Sequence, residues 1–452
     1  MRLWEALRVR KGEVISFVGA GGKTTAMYRL GHELADQGWR VITTTTTMIR
    51  PPSPEQTKAL VVESNPAQVL RLAKEALRGK GLITVASQRL EVENKLKGIE
   101  PVLVAALAKL ADAVIVEADG ARGLSLKAPA AHEPVVPPET TLLVPVVGMD
   151  VVGRRLVEQT VHRPELVAGL TGLPRGEVIG VSVLANLLVH PQGALKGAPA
   201  DVRVAPLINK VHDEATLAAA RQVAGQIKGN PSLERVLIGA VATDDPVLEC
   251  WQRVSAIVLA AGASKRFGHP KQLLPVAGTT MIEHVLHIVR ATSVEEVVVV
   301  LGHSAAQIGQ RIPAWCRTVL NKDWETGISS SIRVGLEAIK GNVEAVLFVL
   351  ADQPHVTSEG IERILQAYYG SMKPIVVPAY HGQRAPPILF DHSLFSELKG
   401  LRGDMGGRQV IERFASQVLA VEMQSPDMFL DIDTPTDYEE FLKRNEGADA
   451  DA

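Results

Sequence analysis

The sequence predicts an α/β protein built of two domains in series, and three observations support that class. At 452 residues the chain is too long for one ordinary core, because domains hold on the order of 150 residues. Two units that read strand, glycine-rich loop and helix open at Glu13 and at Ser255, each in the manner of a nucleotide-binding α/β domain. Apolar runs at Val114 to Val116, Leu142 to Val147, Val297 to Leu301 and Ala345 to Leu350 alternate with helical patterns such as Ala215 to Ile227 and Met281 to Val289. That alternation specifies mostly parallel sheets covered by helices. The last strand of the first domain is expected at Arg235 to Val241 and a linker at Asp244 to Arg253, so the domains span residues 1–245 and 254–452. Only the tail from Glu446 to Ala452 reads as disordered.

Composition narrows the function. Hydrophobic residues make up 46% of the chain and charged ones 22%, a globular balance. With 48 basic against 50 acidic residues there is no broad positive field for a polyanion, so no nucleic-acid partner is expected and a small ligand fits better. Cys250 and Cys316 are the only cysteines, which excludes a disulfide framework and an all-cysteine metal site and suits a reducing compartment. No apolar run approaches the roughly 18 residues of a membrane helix. The early arginines and the short apolar stretch after them lead into Gly21-Gly-Lys-Thr-Thr25 rather than a cleavage site, so a cytoplasmic protein is expected.

In the second half, Ile257-Val-Leu-Ala-Ala-Gly-Ala-Ser-Lys-Arg-Phe-Gly-His-Pro-Lys271 sets small residues where a strand ends and then adds Ser264, Lys265, Arg266 and Lys271. Small residues let successive backbone N–H groups approach a triphosphate, and the basic side chains neutralise charge building on a leaving pyrophosphate. The alternative is a plain tight turn. Val346-Leu-Phe-Val-Leu-Ala-Asp352 delivers a carboxylate at the C-terminal end of a buried strand, where open α/β sheets bind ligands. Mg²⁺ wants one or two carboxylates plus phosphate oxygens, so Asp352 leads as metal ligand, with Asp431 and Asp433 as further candidates. An N-cap or Asx-turn is the competing reading of each.

Together these residues resemble the molybdenum cofactor cytidylyltransferases (MocA-like), over Ser255 to Leu442. The matching stretches are Leu259 to Gly268, Asn321-Lys-Asp-Trp-Glu-Thr-Gly327-Ile-Ser329-Ser330, Leu350-Ala-Asp352-Gln-Pro354, Arg402-Gly-Asp404-Met-Gly-Gly-Arg408 and Asp431-Ile-Asp433-Thr-Pro435. The resemblance implies a Rossmann-like nucleotidyltransferase fold of the nucleotide-diphospho-sugar transferase type. It implies attack by the terminal phosphate of molybdopterin, or of its molybdenum-loaded form, on the α-phosphorus of CTP, with Mg²⁺ as cofactor. Arg266, Lys271 and Asp352 would be catalytic. Ala260, Ala261, Gly262, Ser264, Lys265, Gly302, Asn321, Gly327 and Ser329 would bind nucleotide. The Ala260-Ala261 pair looks like the cytidylyl form of the loop. Arg384-Ala-Pro386-Pro387 departs from the Gly-His-Pro or Gly-Asn-Pro that the family usually carries there.

In the first half, Val14-Ile-Ser-Phe-Val-Gly19-Ala-Gly21-Gly22-Lys23-Thr24-Thr25 reads as strand, shortened phosphate loop and helix start. The ordinary pattern places a glycine six positions before the lysine, where this chain has Phe17; the short form is that of Mur-type ligases. Gly22 and the helix N-terminus would present N–H groups to phosphate, Lys23 would reach the outer phosphates and Thr24 would hold Mg²⁺. Ala113-Val-Ile-Val-Glu117-Ala-Asp119 is a strand ending in two carboxylates, either for Mg²⁺ and water, with Arg122 and Lys127 answering phosphate charge, or simply a solvated strand end. Thr43 to Thr47 would line the same pocket or extend a strand.

Residues 1–245 resemble the YqeC-type accessory proteins of selenium-dependent molybdenum hydroxylases, on Gly19 to Thr25, Thr43 to Thr47, Glu117 to Lys127, Pro145 to Asp150, Val161-His162-Arg163-Pro164 and Leu207-Ile-Asn209-Lys210. That implies a P-loop-like α/β domain binding ATP or GTP in cofactor maturation, with an apo molybdenum hydroxylase as a possible partner. Asn209-Lys210 is close to a guanine-reading loop, but such a loop wants Asp two positions after the lysine, and this chain has His212 there and Asp213 one step late. An ordinary strand-to-helix cap competes with it. His132 and His162 lack ligand spacing and are expected to be packing or surface residues. The alternatives to cofactor cytidylylation are transfer to a sugar phosphate or polyol phosphate, and a non-catalytic NTP-driven cofactor carrier.

Overall fold

A computed structural model describes residues 1–79, 81–341 and 343–449, and the chain divides into two compact units, Met1–Trp251 and Gln252–Ala452. Both are α/β, as the alternation of runs predicts.

The sheet of the first unit contains β1 Glu13–Gly19, β2 Arg40–Thr45, β3 Ala59–Val62, β4 Gly81–Ala86, β5 Ala113–Glu117, β6 Leu142–Gly148, β7 Leu207–Asn209, β8 Val236–Gly239 and β9 Val247–Trp251. Their spatial order is β9-β8-β7-β6-β1-β5-β2-β4-β3, with a short strand, Arg203–Val204, pairing β6. All the pairs are parallel except β8 with β9. β1 is central and buried along its length, which explains its unbroken apolar run. Its register sets Phe17 beside Glu117, so the tip of β1 and the tip of β5 end side by side.

Helix α1, Lys23–Asp36, leaves the tip of β1, and α2, Glu214–Ile227, follows β7. A capping box of Asp213 and Thr216 starts α2.

One boundary differs from expectation. The segment read as a linker holds β9, antiparallel to β8 in the same sheet. Its strand signal is hidden by a charge: Glu249 is buried, accepting hydrogen bonds from Arg221 Nε at 2.8 Å and from Trp251 Nε1 at 2.7 Å. A buried Glu is tolerated only when so partnered, and the partners come from the fold.

The second unit contains β10 Val254–Ala260, β11 Glu296–Leu301, β12 Arg317–Leu320, β13 Ala345–Leu350, β14 Ile375–Tyr380, β15 Gln383–Arg384, β16 Ile388–Asp391 and β17 Val418–Glu422. The order is β12-β11-β10-β13-β16-β14-β15, with β17 beside β14. β10 to β13 pair parallel, while β16 runs antiparallel to both β13 and β14. The departing segment Arg384 to Pro387 thus joins β15 to β16 at the antiparallel side of the sheet. Helices α3 Met281–Arg290, α4 Ile328–Ala338 and α5 Ser358–Ser371 cover the sheet, and α6, Pro435–Asp449, closes the described chain. The helix α6 runs through Glu446–Asp449, part of the tail expected to be disordered; residues 450–452 lie outside the described residues.

Ile257, Val298, Val346 and Phe390 meet in the core on the α4 side, with Ile332 and Leu336 from that helix.

Candidate functional site

In the second unit, register assembles the site. β10 lies between β11 and β13, with Leu259 opposite Leu350 and Ala260 opposite Leu301. The glycine-rich loop after β10 and the aspartate after β13 therefore emerge next to each other. They share a cavity of about 860 Å³, lined among others by Ala261, Gly262, Ser264, Lys265, Arg266, Lys271, Gly327, Asp352 and Asp433.

Lys271 is its electrostatic centre. Its ammonium lies 2.5 Å from Asp352 and 2.9 Å from Asp433, and it donates to the carbonyl of Ile432 at 2.9 Å. Burial works against this charge, yet the two carboxylates outweigh burial and raise the Lys271 pKa. The hydrogen bond from Lys271 in turn lowers that of Asp433, with Arg266, 3.2 Å away, adding to the effect.

Several expected residues stand elsewhere. Asp431 turns away from the cavity and accepts from Gln353 Nε2 at 2.6 Å, while burial raises its pKa; as a metal ligand it is corrected to a neighbour of the site. Ala260, Asn321 and Ser329 are buried behind the cavity wall rather than on it. Asn321 donates to Ser330 Oγ at 2.8 Å and to Ser331 Oγ at 3.0 Å, holding the first turn of α4. Gly302 is a packing position, since a Cβ there would lie 2.8 Å from Trp324 Cβ. Gly327 keeps its place on the wall at φ 106°, and a Cβ would come within 2.3 Å of the Gly403 backbone, so only glycine fits.

Trp324, Glu325 and Asp404, which lie in the matching stretches without an expected role, and Gln272 and Ser331, which sequence reasoning left out, also line the cavity. Gln272 is buried and bonded to Ser264, bracing the loop from behind. Its adjacency to Lys271 was the available signal. Asp404, whose motif the sequence shows, reaches the wall through the approach of Gly403 to Gly327, a pairing that nothing local encodes.

In the first unit, α1 begins at the loop after β1, with Gly22 as its N-cap. The loop glycines act differently from the expectation. The Gly19 amide donates to Asp119 at 3.1 Å and the Gly21 amide to the Leu124 carbonyl at 3.0 Å, so neither is offered to phosphate. Gly21, at φ 90°, backs so closely on Gly148 that a Cβ would lie 2.4 Å from its nitrogen. The donors left for an anion belong to the α1 N-terminus, from Gly22 through Thr25.

Lys23 is buried, donating to Gly19 O at 2.6 Å and lying 3.2 Å from Asp119 and 3.9 Å from Glu117. Thr24 Oγ1 donates to Glu117 at 2.7 Å. Burial raises the Glu117 pKa, against the pull of Lys23. Lys127 is not free to meet phosphate: it is buried between Asp119, at 3.0 Å, and Glu133, at 2.7 Å. Burial acts against the Glu133 carboxylate, but hydrogen bonds from Arg163 and Lys127 win and hold its carboxyl at about 2. Arg122 is exposed. Thr43 and Thr44 bond along their own sheet, so the strand reading holds for them, while Thr45 donates to the Glu117 carbonyl at 2.7 Å.

Two carboxylates around one ammonium in each unit fit a cation with phosphate oxygens completing its shell. Among the described residues no group of three or more His, Cys, Asp or Glu is placed to hold a metal, and no helix is long and apolar enough to cross a membrane. His132 is exposed, and burial lowers the pKa of His162.

Comparison with known proteins gives two family matches: the YqeC protein model over residues 15–165 and the MobA-like NTP transferase domain over residues 256–418. The uncharacterized protein YqeC of Escherichia coli is 34% identical over 203 residues, covering 44% of this chain and 77% of that protein. Nicotine blue oxidoreductase of Paenarthrobacter nicotinovorans is 30% identical over 194 residues, covering 40% of this chain and 92% of that one. A probable molybdenum cofactor guanylyltransferase of Bacillus cereus is 28% identical over 197 residues, covering 41% and 94%.

Proposed function

We propose, for a chain that belongs to the YqeC family through its first half and carries a MobA-like NTP transferase domain in its second, a role in molybdenum cofactor maturation. The second half transfers CMP from CTP to molybdopterin or its molybdenum-loaded form, and the first half is an NTP-binding accessory domain. The observation that carries this reading is the cavity in which Asp352 and Asp433 face the loop that bears Lys265, Arg266 and Lys271.

In the reaction, a terminal phosphate oxygen of the acceptor attacks the α-phosphorus of CTP. A new P–O bond forms as the bond to the β-phosphate oxygen breaks, and pyrophosphate leaves with the electron pair. This chain contributes position and charge. The loop from Ala261 to Ser264 lets backbone approach the triphosphate, and Lys265, Arg266 and Lys271 offset the charge growing on pyrophosphate. Asp352 and Asp433 would hold Mg²⁺, which when bound would supply positive charge that offsets that of the phosphates. Ala260-Ala261 supports cytidine as the base.

The name of the Bacillus cereus relative favours a second reading, in which the donor is GTP. Pyrophosphate release with CTP, GTP, UTP and ATP, against molybdopterin and against sugar phosphates, separates the two. CTP with molybdopterin is expected to give the highest kcat/KM. Asp352→Ala is expected to abolish pyrophosphate release with the fold intact; unchanged turnover in that variant removes the assignment.

A further inference from the structure

The Asn209-Lys210 pair, left open by its missing partner aspartate, takes on a role once its surroundings are known. Asp213 is spent on the helix: its carboxylate accepts from the Thr216 amide at 2.7 Å as the cap of α2. Another carboxylate, that of Asp150, lies beside this lysine. Lys210, with φ 64°, directs its ammonium to Asp150 at 2.9 Å and to Ser125 Oγ at 2.6 Å. Asp150 is half exposed and Lys210 about a third exposed, at 50% and 32%.

This group adjoins the phosphate loop. Asn209 Nδ2 donates to the Gly21 carbonyl at 2.7 Å, and Asn209 Oδ1 accepts from the Val241 amide at 3.0 Å. Gly148, two residues before Asp150, is the glycine on which Gly21 packs. Asn209 thus ties the loop that carries Lys210 to the loop that carries the anion donors.

The direction of the bound nucleotide follows from charge. Glu117 and Asp119 lie on the β5 side of β1 and mark the metal and outer-phosphate end. The nucleoside must leave toward the other side of β1, where β6 is its neighbour and β7 lies beyond β6; Asp150 and Lys210 follow the tips of these two strands. There the stem of Lys210, its ammonium anchored, offers an apolar face to a flat ring.

An ionised carboxylate only accepts hydrogen bonds. Guanine presents two adjacent donors, N1–H and the 2-amino group. Adenine and cytosine place an acceptor nitrogen beside their amino donor, and uracil flanks its one N–H with carbonyls, so each sets a lone pair against the carboxylate. Leaving that pairing unsatisfied is costly.

We propose that Asp150 and Lys210 form a guanine-reading subsite, making the first unit selective for a guanine nucleoside triphosphate. The inference rests on the reading that this half binds an NTP at Lys23 and the α1 N-terminus. Asp150 and Lys210 are specificity residues and Asn209 positions them.

The test is calorimetry of the full chain with GTP, ATP and inorganic triphosphate, using Asp352→Ala as the background so that the second site makes no product. GTP is expected to bind at least about tenfold tighter than ATP, and Asp150→Asn and Lys210→Ala to bring GTP down to the ATP level while leaving ATP and triphosphate unchanged. Retained ATP binding also reports an intact fold. Equal affinity for GTP and ATP in the parent chain overturns the subsite and leaves NTP binding standing. No difference in heat between the parent and Lys23→Ala with any of the three ligands overturns the NTP reading itself, and the subsite with it.

Discussion

Lys271 holds two carboxylates by a single charge, and that arrangement decides how the second site responds to substitution. Its ammonium sits within 2.9 Å of both Asp352 and Asp433, where a divalent ion held by these carboxylates, as proposed above, would compete with it. On the proposed reaction, Lys271→Ala would remove both a competitor for metal and a countercharge for pyrophosphate. Turnover is expected to fall roughly a hundredfold, while half-saturation by Mg²⁺ shifts to lower concentration; a magnesium titration of pyrophosphate release reads both. In the first unit the corresponding lesson is about protons. The Glu133 carboxyl, ordinarily near 4.5, lies at about 2 because Arg163 and Lys127 favour its charge over the opposition of burial. A depressed carboxyl adds stability above its unfolded pKa and loses it as pH falls through the folded value. Chemical denaturation of the parent chain is therefore expected to weaken from about pH 5 down toward pH 2, and Glu133→Gln to flatten that limb.

At the scale of elements, periodicity announced most of what formed. The helices α2 and α3 begin with capping boxes, Asp213 with Thr216 and Thr280 with Glu283, and both were legible as helical patterns. β9 was not, because a buried Glu249 breaks the apolar pattern and its partners Arg221 and Trp251 are known only once the chain has folded. Trp251 is 6% exposed, which a linker residue would not be. Trp251→Ala is accordingly expected to destabilise the first unit by about 3 kcal/mol, the large-to-small cost of a core aromatic, as read from its denaturation midpoint. A linker position would change it by under about 0.5 kcal/mol. The loop glycines show the same limit: Gly19 and Gly21 belong to the expected phosphate loop, but their own amides serve Asp119 and Leu124.

For the whole molecule, the two halves are separate families joined on one chain, and each candidate site is built from the elements of its own unit. Their ligand steps should then be separable. Lys23→Ala is expected to leave pyrophosphate release at the second site within about twofold of the parent, since effects add for positions that share no partners and each site draws only on residues of its own unit. Nucleotide binding at the first site should likewise be indifferent to Asp352→Ala, checked by titration of both variants. Tethering raises the local concentration of anything one half hands to the other. A chain cleaved between its units is expected to show slower overall conversion at low enzyme concentration than the intact chain, at unchanged kcat for the isolated transfer step.

The sequence by itself determined the fold class, the two glycine-rich loops at strand tips, and the presence of Lys271, Asp352 and Asp433 in one half and Lys23, Glu117 and Asp119 in the other. These are short-range properties: apolar runs, loop chemistry and the residue that follows a buried strand are all contiguous in the chain. Only the tertiary structure decided that Asp433 joins the Lys271 cluster while Asp431 turns to Gln353, that Asn321 supports α4 from behind the cavity, and that Asp150 pairs with Lys210. Each of those outcomes depends on strands or loops far apart in sequence meeting in a particular register. A charge has no fixed partner until that register brings one within about 4 Å.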